Sequence, residues 1–275
     1  MASPYFNKKE ELKEKAIKHT KEMECRFSNQ IAESIKQTKV YGGEDQTVVS
    51  VCASPSLAAK IPVTVDNLDS VTSALQHRSG KTAVLNFASY KNPGGMFLNG
   101  SSAQEESLCH ASNLYNILRH FDSYYRWNQK NLNRALYTNR ALYTPNVLFL
   151  NNKDVVDGVE GSTVPIDVIT CAAPNYTAAS RYCEIDKKTA MWEANKNALR
   201  SRIKFLLDIA EENHVETLIL GGFGCGVFGQ SAKITALYFQ LCLQMYGYHF
   251  QHVYFSLIDC GNSKNYQIFK NVFNH

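Results

Sequence analysis

No stretch of the 275-residue chain is long and apolar enough to read as a membrane-spanning helix. The opening segment, MASPYFNKKEELKEKAIKHTKE, lacks the apolar run that directs secretion, so an intracellular, cytoplasmic protein is expected. The eight cysteines form no C-x-x-C pair, and none stands at zinc-finger spacing from a histidine, which argues against structural zinc. Several, such as Cys52 in SVCAS and Cys171 in VITCAAP, lie in apolar strand-like stretches, as reduced and buried cysteines do. No internal repeat and no low-complexity linker interrupts the chain. Charge of one sign is also scarce: the net charge is +4, with much of the lysine excess between Lys8 and Lys39. A basic segment of that kind is either a solvated helix face or a contact for a polyanion.

What is present is an ordinary globular composition, 44% hydrophobic and 20% charged, enough to build the core of one large domain with an extension. Residues Lys8–Lys39 read as a helix with few large apolar residues, packed on the outside of the core. Strands and helices then alternate. Strands are expected at Thr47–Ala53, Thr82–Phe87, Asn146–Leu150, Pro165–Cys171, Thr217–Leu220 and His252–Ile258. Helices are expected at Asn67–His77, Ala103–His120, Thr189–His214 and Ser231–Tyr246, with a short one closing the chain. Such alternation implies an α/β fold with a largely buried sheet, whose ligands sit where strand ends feed helix N-termini.

Two loops occupy such places. The first, NPGGMFLNGSSAQEES, leaves the strand TAVLNF. Ser102 and Glu105 have the spacing of a capping box, which gives Glu105 a purely structural reading. Glu106 lies in the same first turn. It is open to two readings, an acidic residue favoured by the helix N-terminus or a carboxylate held beside a bound phosphate.

The second loop, LGGFGCGVFGQSA, leaves the strand TLIL. Gly224, Gly226 and Gly229 satisfy G-x-G-x-x-G between a strand and a helix, an arrangement that lets backbone N–H groups close on a diphosphate. A dinucleotide-binding unit would need an acidic residue about 20 positions on. There is none around His249, which argues against a nicotinamide or flavin enzyme. Phe228 is either a core aromatic or a ring set against a sugar.

Taken together, LNFAS, NPGGMFLNGSSAQEES and GGFGCGVFG resemble the poly(ADP-ribose) glycohydrolases of the compact microbial type, over roughly Val49 to Asp259. The resemblance implies a macrodomain-like three-layer α/β/α fold with a central mixed sheet, residues 46–275, preceded by an N-terminal helical extension, residues 1–45. It also implies an O-glycosyl hydrolase that splits ribose–ribose bonds in poly(ADP-ribose) and releases ADP-ribose, as a monomer without metal or cofactor. By position, Glu106 matches the family's catalytic acid/base and Glu105 its neighbour on the ribose hydroxyls. Asn86, Gly94, Gly95 and Gln104 match the ligand pocket and catalytic loop. Gly224, Cys225, Gly226 and Val227 match the diphosphate loop, and Phe228 the aromatic residue that orients the terminal ribose. Met96 stands where the family has a third glycine. A positive φ there would strain it, and a position against the substrate would narrow the pocket. Two alternatives share the pocket: a hydrolase of mono-ADP-ribose on protein or nucleic acid, favoured by a narrowed pocket, and a non-catalytic ADP-ribose reader, which has no need of the Glu105–Glu106 pair.

Overall fold

A computed structural model describes residues 4–42, 60–151, 162–181, 183–259 and 263–274. The strand expected at Thr47–Ala53, with Cys52, and Cys260 lie outside these residues. In chain order the first elements are α1 (Pro4–Gln37), β1 (Lys39–Tyr41), β2 (Val63–Asp66), α2 (Ser70–His77), β3 (Thr82–Phe87), α3 (Gln104–Ala111), α4 (Leu114–Leu118) and α5 (Asp122–Lys130). They are followed by β4 (Ala141–Leu150), β5 (Thr163–Cys171), α6 (Tyr176–Arg181), α7 (Lys188–Glu212), β6 (Thr217–Gly221), α8 (Ala232–Met245), β7 (His252–Ser256) and α9 (Asn265–Phe273).

Among the described residues the strands form one seven-stranded sheet in the order β1-β4-β5-β3-β6-β7-β2. From β5 through β3, β6 and β7 to β2 all pairings are parallel, while β4 runs antiparallel to β5 and to β1. The central parallel strands β3, β5 and β6 are largely buried on both faces, which is why they read as continuous apolar runs. Their side chains still alternate between two cores. Ala83, Leu85, Leu218 and Leu220 face one core with Leu199 and Ile203 of α7, Phe239 of α8 and Phe269 of α9. Val84, Val168 and Ile219 face the other with Ala16 and Ile31 of α1, Ala74 of α2, Leu108 of α3 and Leu114 of α4. Helices thus cover both faces of a mixed sheet, as the macrodomain-like expectation required.

The long helix expected at Ala103–His120 is two helices. It breaks at Ser112, whose backbone is extended (φ −153°, ψ 177°) and forms an isolated bridge with Phe149 of β4. Asn113 completes the contact: its N–H donates to the Leu148 carbonyl (3.2 Å), and its Oδ1 accepts from the Leu148 N–H (3.0 Å). Paired with β1 only over Ala141–Tyr143, β4 has backbone groups at Leu148 and Phe149 that require partners, and the break supplies them. β4 itself starts earlier than expected, at Ala141 rather than Asn146. A bulge between Thr144 and Val147, with Asn146 at a φ of 56°, hides the strand from an alternation test. Asp167 holds the bulge by accepting from the Asn146 N–H (2.9 Å).

Candidate active site

Strands β3 and β6 are neighbours and parallel, so the loops leaving their carboxyl ends are neighbours too. The first loop turns at Gly94 (φ 64°) and Gly95 (φ 59°). A side chain at Gly95 would also have no room: its Cβ would lie 2.6 Å from Glu106 Oε1 and 2.9 Å from Glu105 Oε2. The glycine backbone therefore lies directly against both carboxylates. Beneath the turn, Phe97 is buried against His110 and Tyr115, with ring centroids 4.6 and 5.1 Å away, and this packing fixes the loop to α3 and α4.

Glu105 and Glu106 are 4% and 5% exposed. The capping box is not formed: Ala103 occupies the N-cap of α3 without a side-chain hydrogen bond. Glu105 instead reaches back to β3. Its Oε2 accepts from the Ser89 N–H (2.7 Å) and its Oε1 from Asn86 Nδ2 (3.2 Å). Burial pushes the Glu105 carboxyl up from 4.5 to about 8, against the opposing pull of the Ser89 and Gly94 N–H groups and Asn86. Glu106 Oε1 accepts from the Met96 N–H at 2.8 Å. Its buried Oε2 has no hydrogen-bond partner among the described residues, nor has Asn86 Oδ1.

Met96 sits at φ −111°, ψ 28°, so the position needs no glycine and the feared strain is absent. Its side chain is 48% exposed. Gln104 turns inward: its Oε1 accepts from the Phe87 N–H (2.8 Å), and its Nε2 donates to the Leu85 carbonyl (2.8 Å) and Ser70 Oγ (3.1 Å). These bonds tie the start of α3 to the end of β3 and thereby set the two glutamates in place.

The second loop runs from Gly222 into α8, where Ser231 accepts from the Ile234 N–H as N-cap. Gly224 adopts a φ of 76° and Gly226 borders open space. Val227 projects outward, 84% exposed. Cys225 is partly buried against the core, and this desolvation pushes its thiol up to about 11 and leaves a weak nucleophile. Phe228 is half-buried, edge-on to Tyr137 at 6.2 Å, and Tyr137 stacks on Tyr90 at 4.1 Å. No local sequence pattern marks Gln230 as the loop's anchor. Its buried amide exchanges hydrogen bonds with Asn195 of α7 (2.7 and 3.0 Å) and donates to the Pro174 carbonyl (2.7 Å).

A cleft of about 460 Å³ joins the loops, with Gln104 and Ser107 on one side and Gly222 and Gly226 on the other. Its far wall, also unforeseen, comes from the start of α2 at Asp69 and Ser70 and from Leu257 and Ile258 after β7. The cleft falls in the size range of small-molecule sites.

Comparison with known proteins agrees with this geometry. The family described as microbial-type PARG, catalytic domain, where PARG is poly(ADP-ribose) glycohydrolase, matches residues 7–152. No curated protein matches. Among solved structures, the poly(ADP-ribose) glycohydrolase of Thermomonospora curvata is 26% identical, with a TM-score of 0.80 over 96% of this chain and 100% of that one. The Deinococcus radiodurans enzyme in complex with ADP-ribose is 27% identical, with a TM-score of 0.71 over 89% of this chain and 97% of that one. With more than half of its length matched by the family, and with two glycine loops leaving neighbouring strands and the paired glutamates set against Gly95, this chain belongs to the microbial-type poly(ADP-ribose) glycohydrolase catalytic-domain family.

Proposed function

We propose that the chain hydrolyses the ribose–ribose O-glycosidic bond of poly(ADP-ribose) and releases ADP-ribose, with Glu106 as the general acid and base. The observation that carries this reading is the state of the Glu106 carboxylate. One oxygen is fixed by the Met96 N–H, and the other is buried with no hydrogen-bond partner among the described residues. A buried polar atom left unpaired costs free energy, and a ligand or an ordered water that completes it recovers that cost.

In this mechanism the diphosphate lies along the Gly222–Gly226 backbone and the terminal ribose lies toward Gly95. The bond from the anomeric carbon to the leaving ribose oxygen breaks as Glu106 delivers its proton to that oxygen. The anomeric carbon becomes oxocarbenium-like and is stabilised by the substrate's own diphosphate. Glu106 then takes a proton from the attacking water, and the water oxygen forms the new bond to carbon, restoring the acid. Most glycosidases divide these tasks between two carboxylates. Glu105 is already engaged by Asn86 and Ser89. With its carboxyl near 8 it is largely neutral at pH 7, which spares the site a second negative charge beside the diphosphate. Phe228, held by Tyr137, orients the ribose.

The test is to incubate the protein with automodified poly(ADP-ribosyl)ated protein and, separately, with a mono-ADP-ribosylated one, and to separate the products by chromatography. Glu106→Gln should reduce release of ADP-ribose by roughly 10²–10⁴-fold while retaining ADP-ribose binding. Full activity in that variant removes Glu106 from the mechanism. Release from the mono-modified substrate alone assigns the shorter substrate, with the Met96 side chain as the obstruction to polymer.

A further inference from the structure

A second, smaller cleft of about 280 Å³ lies beside the first. Lys8, Lys9 and Leu12 of α1 form one wall and residues 100–103 of the first loop form the other. Ser102 and Ala103 line both clefts, so the two flank the same short segment. The walls are held together closely. A Cβ at Gly100 would collide with the Lys9 carbonyl, so α1 rests directly on the loop at this point.

The charge of this cleft is of one sign. No acidic side chain lines it. Lys13, one turn along α1, is tied to Glu10 (3.5 Å), whereas Lys8 and Lys9 have no ion-pair partner among the described residues. Two lysines without a described ion-pair partner, lining the cleft opposite Ser101 and Ser102, suit a phosphate group, to which lysine binds as a point charge. Leu12 and Ala103 add apolar surface suited to sugar carbons beside such a phosphate.

We propose that this cleft is a second anion subsite, which holds a phosphate group of an extended polyanion whose neighbouring unit fills the larger cleft. The identity of the polyanion, a chain of ADP-ribose units, rests on the function proposed above. The existence of the subsite rests on α1 and the loop. The N-terminal helix thereby contributes to substrate binding, and the pair of clefts favours polymer over a single ADP-ribose.

The experiment measures binding of poly(ADP-ribose) and of ADP-ribose alone to Glu106→Gln protein, with and without Lys8→Ala/Lys9→Ala, across a salt series. Both lysines are exposed, so folding should be unaffected, and thermal melting verifies this. The expected result is polymer affinity lowered about tenfold at low salt, with the slope of log Kd against log salt reduced by roughly one to two. ADP-ribose affinity should be unchanged, and Lys8→Arg/Lys9→Arg should restore polymer binding. Unchanged polymer affinity and salt slope in the alanine variant overturn the subsite. So does a parental protein that binds polymer no more tightly than ADP-ribose, or an alanine variant that loses ADP-ribose affinity in equal measure. Product release by the unmutated protein tests the proposed function separately, so failure of one is distinguishable from failure of the other.

Discussion

The backbone N–H of Met96 donates to Glu106 Oε1 at 2.8 Å, so the residue that replaces the family's third glycine orients the proposed acid through its main chain. Because Met96 has negative φ, Met96→Gly keeps this bond. The variant should retain turnover of ADP-ribose polymer within a few-fold, any gain falling in KM as the exposed side chain is removed. Steady-state kinetics on polymer checks this, and a collapse of kcat would mean that the side chain itself takes part in the chemistry.

Gly95 is the opposite case. Gly95→Ala places a methyl group 2.6 Å from Glu106 Oε1 on a backbone of positive φ, so the carboxylate or the loop must move. Misplacement on that scale costs about 10²-fold in rate. We expect a loss of that order in kcat, with the melting temperature falling by only a few degrees.

Glu105 should give stability a distinct pH dependence. Its carboxyl is raised from 4.5 to about 8 by burial, so between these values the folded state holds a proton that the unfolded chain has released. Its contribution is fully present below the unfolded pKa and is lost as pH rises through about 8. Melting temperatures between pH 5 and 9, approximate limits chosen to span this window, should fall with pH in the parent and fall less steeply in Glu105→Gln. Parallel curves would remove Glu105 as the cause.

Asn195→Ala leaves the amide of Gln230 buried without its partner. The expected cost is about 1–3 kcal/mol, or several degrees of melting temperature. The second loop should loosen as well, so that ADP-ribose affinity falls although Asn195 is placed behind the cleft. Calorimetric titration checks the second effect, and unchanged affinity would show that Gln230 and Pro174 suffice to hold the loop.

Phe228→Ala should lower kcat more than it raises KM, because the ring is assigned to orienting the ribose. An unaltered rate with a lowered melting temperature would return Phe228 to the core beside Tyr90 and Tyr137.

Much of this architecture was legible in the sequence because the central parallel strands are buried on both faces. Thr82–Phe87 was read to the residue, and α7 to within two residues at its end. Both glycine loops were visible because each interrupts such a run just before a helix. What escaped depends on partners distant in sequence. The break at Ser112 answers to the backbone of Leu148 and Phe149, and no local pattern encodes that pairing. The capping box at Ser102 and Glu105 was a valid local option, but Asn86 and the Ser89 N–H offered Glu105 a better-defined site on β3. Gln230 and Asn195, 35 positions apart, are unremarkable polar residues until the fold buries them together. The small outer strands β1 and β2 carry too few residues for an alternation to be recognised.

The pairing of β1 with β4, continued farther along by Ser112 and Asn113, has a consequence for handling the protein. Together these contacts occupy the outward backbone groups of β4 at both ends of its length. An uncovered strand edge is a template for pairing with another chain. Trimming the chain to begin after Tyr41 would remove α1 and β1 and open that edge over Ala141–Tyr143. Such a shortened protein should self-associate through strand addition and lose solubility, before any question of its chemistry can be asked.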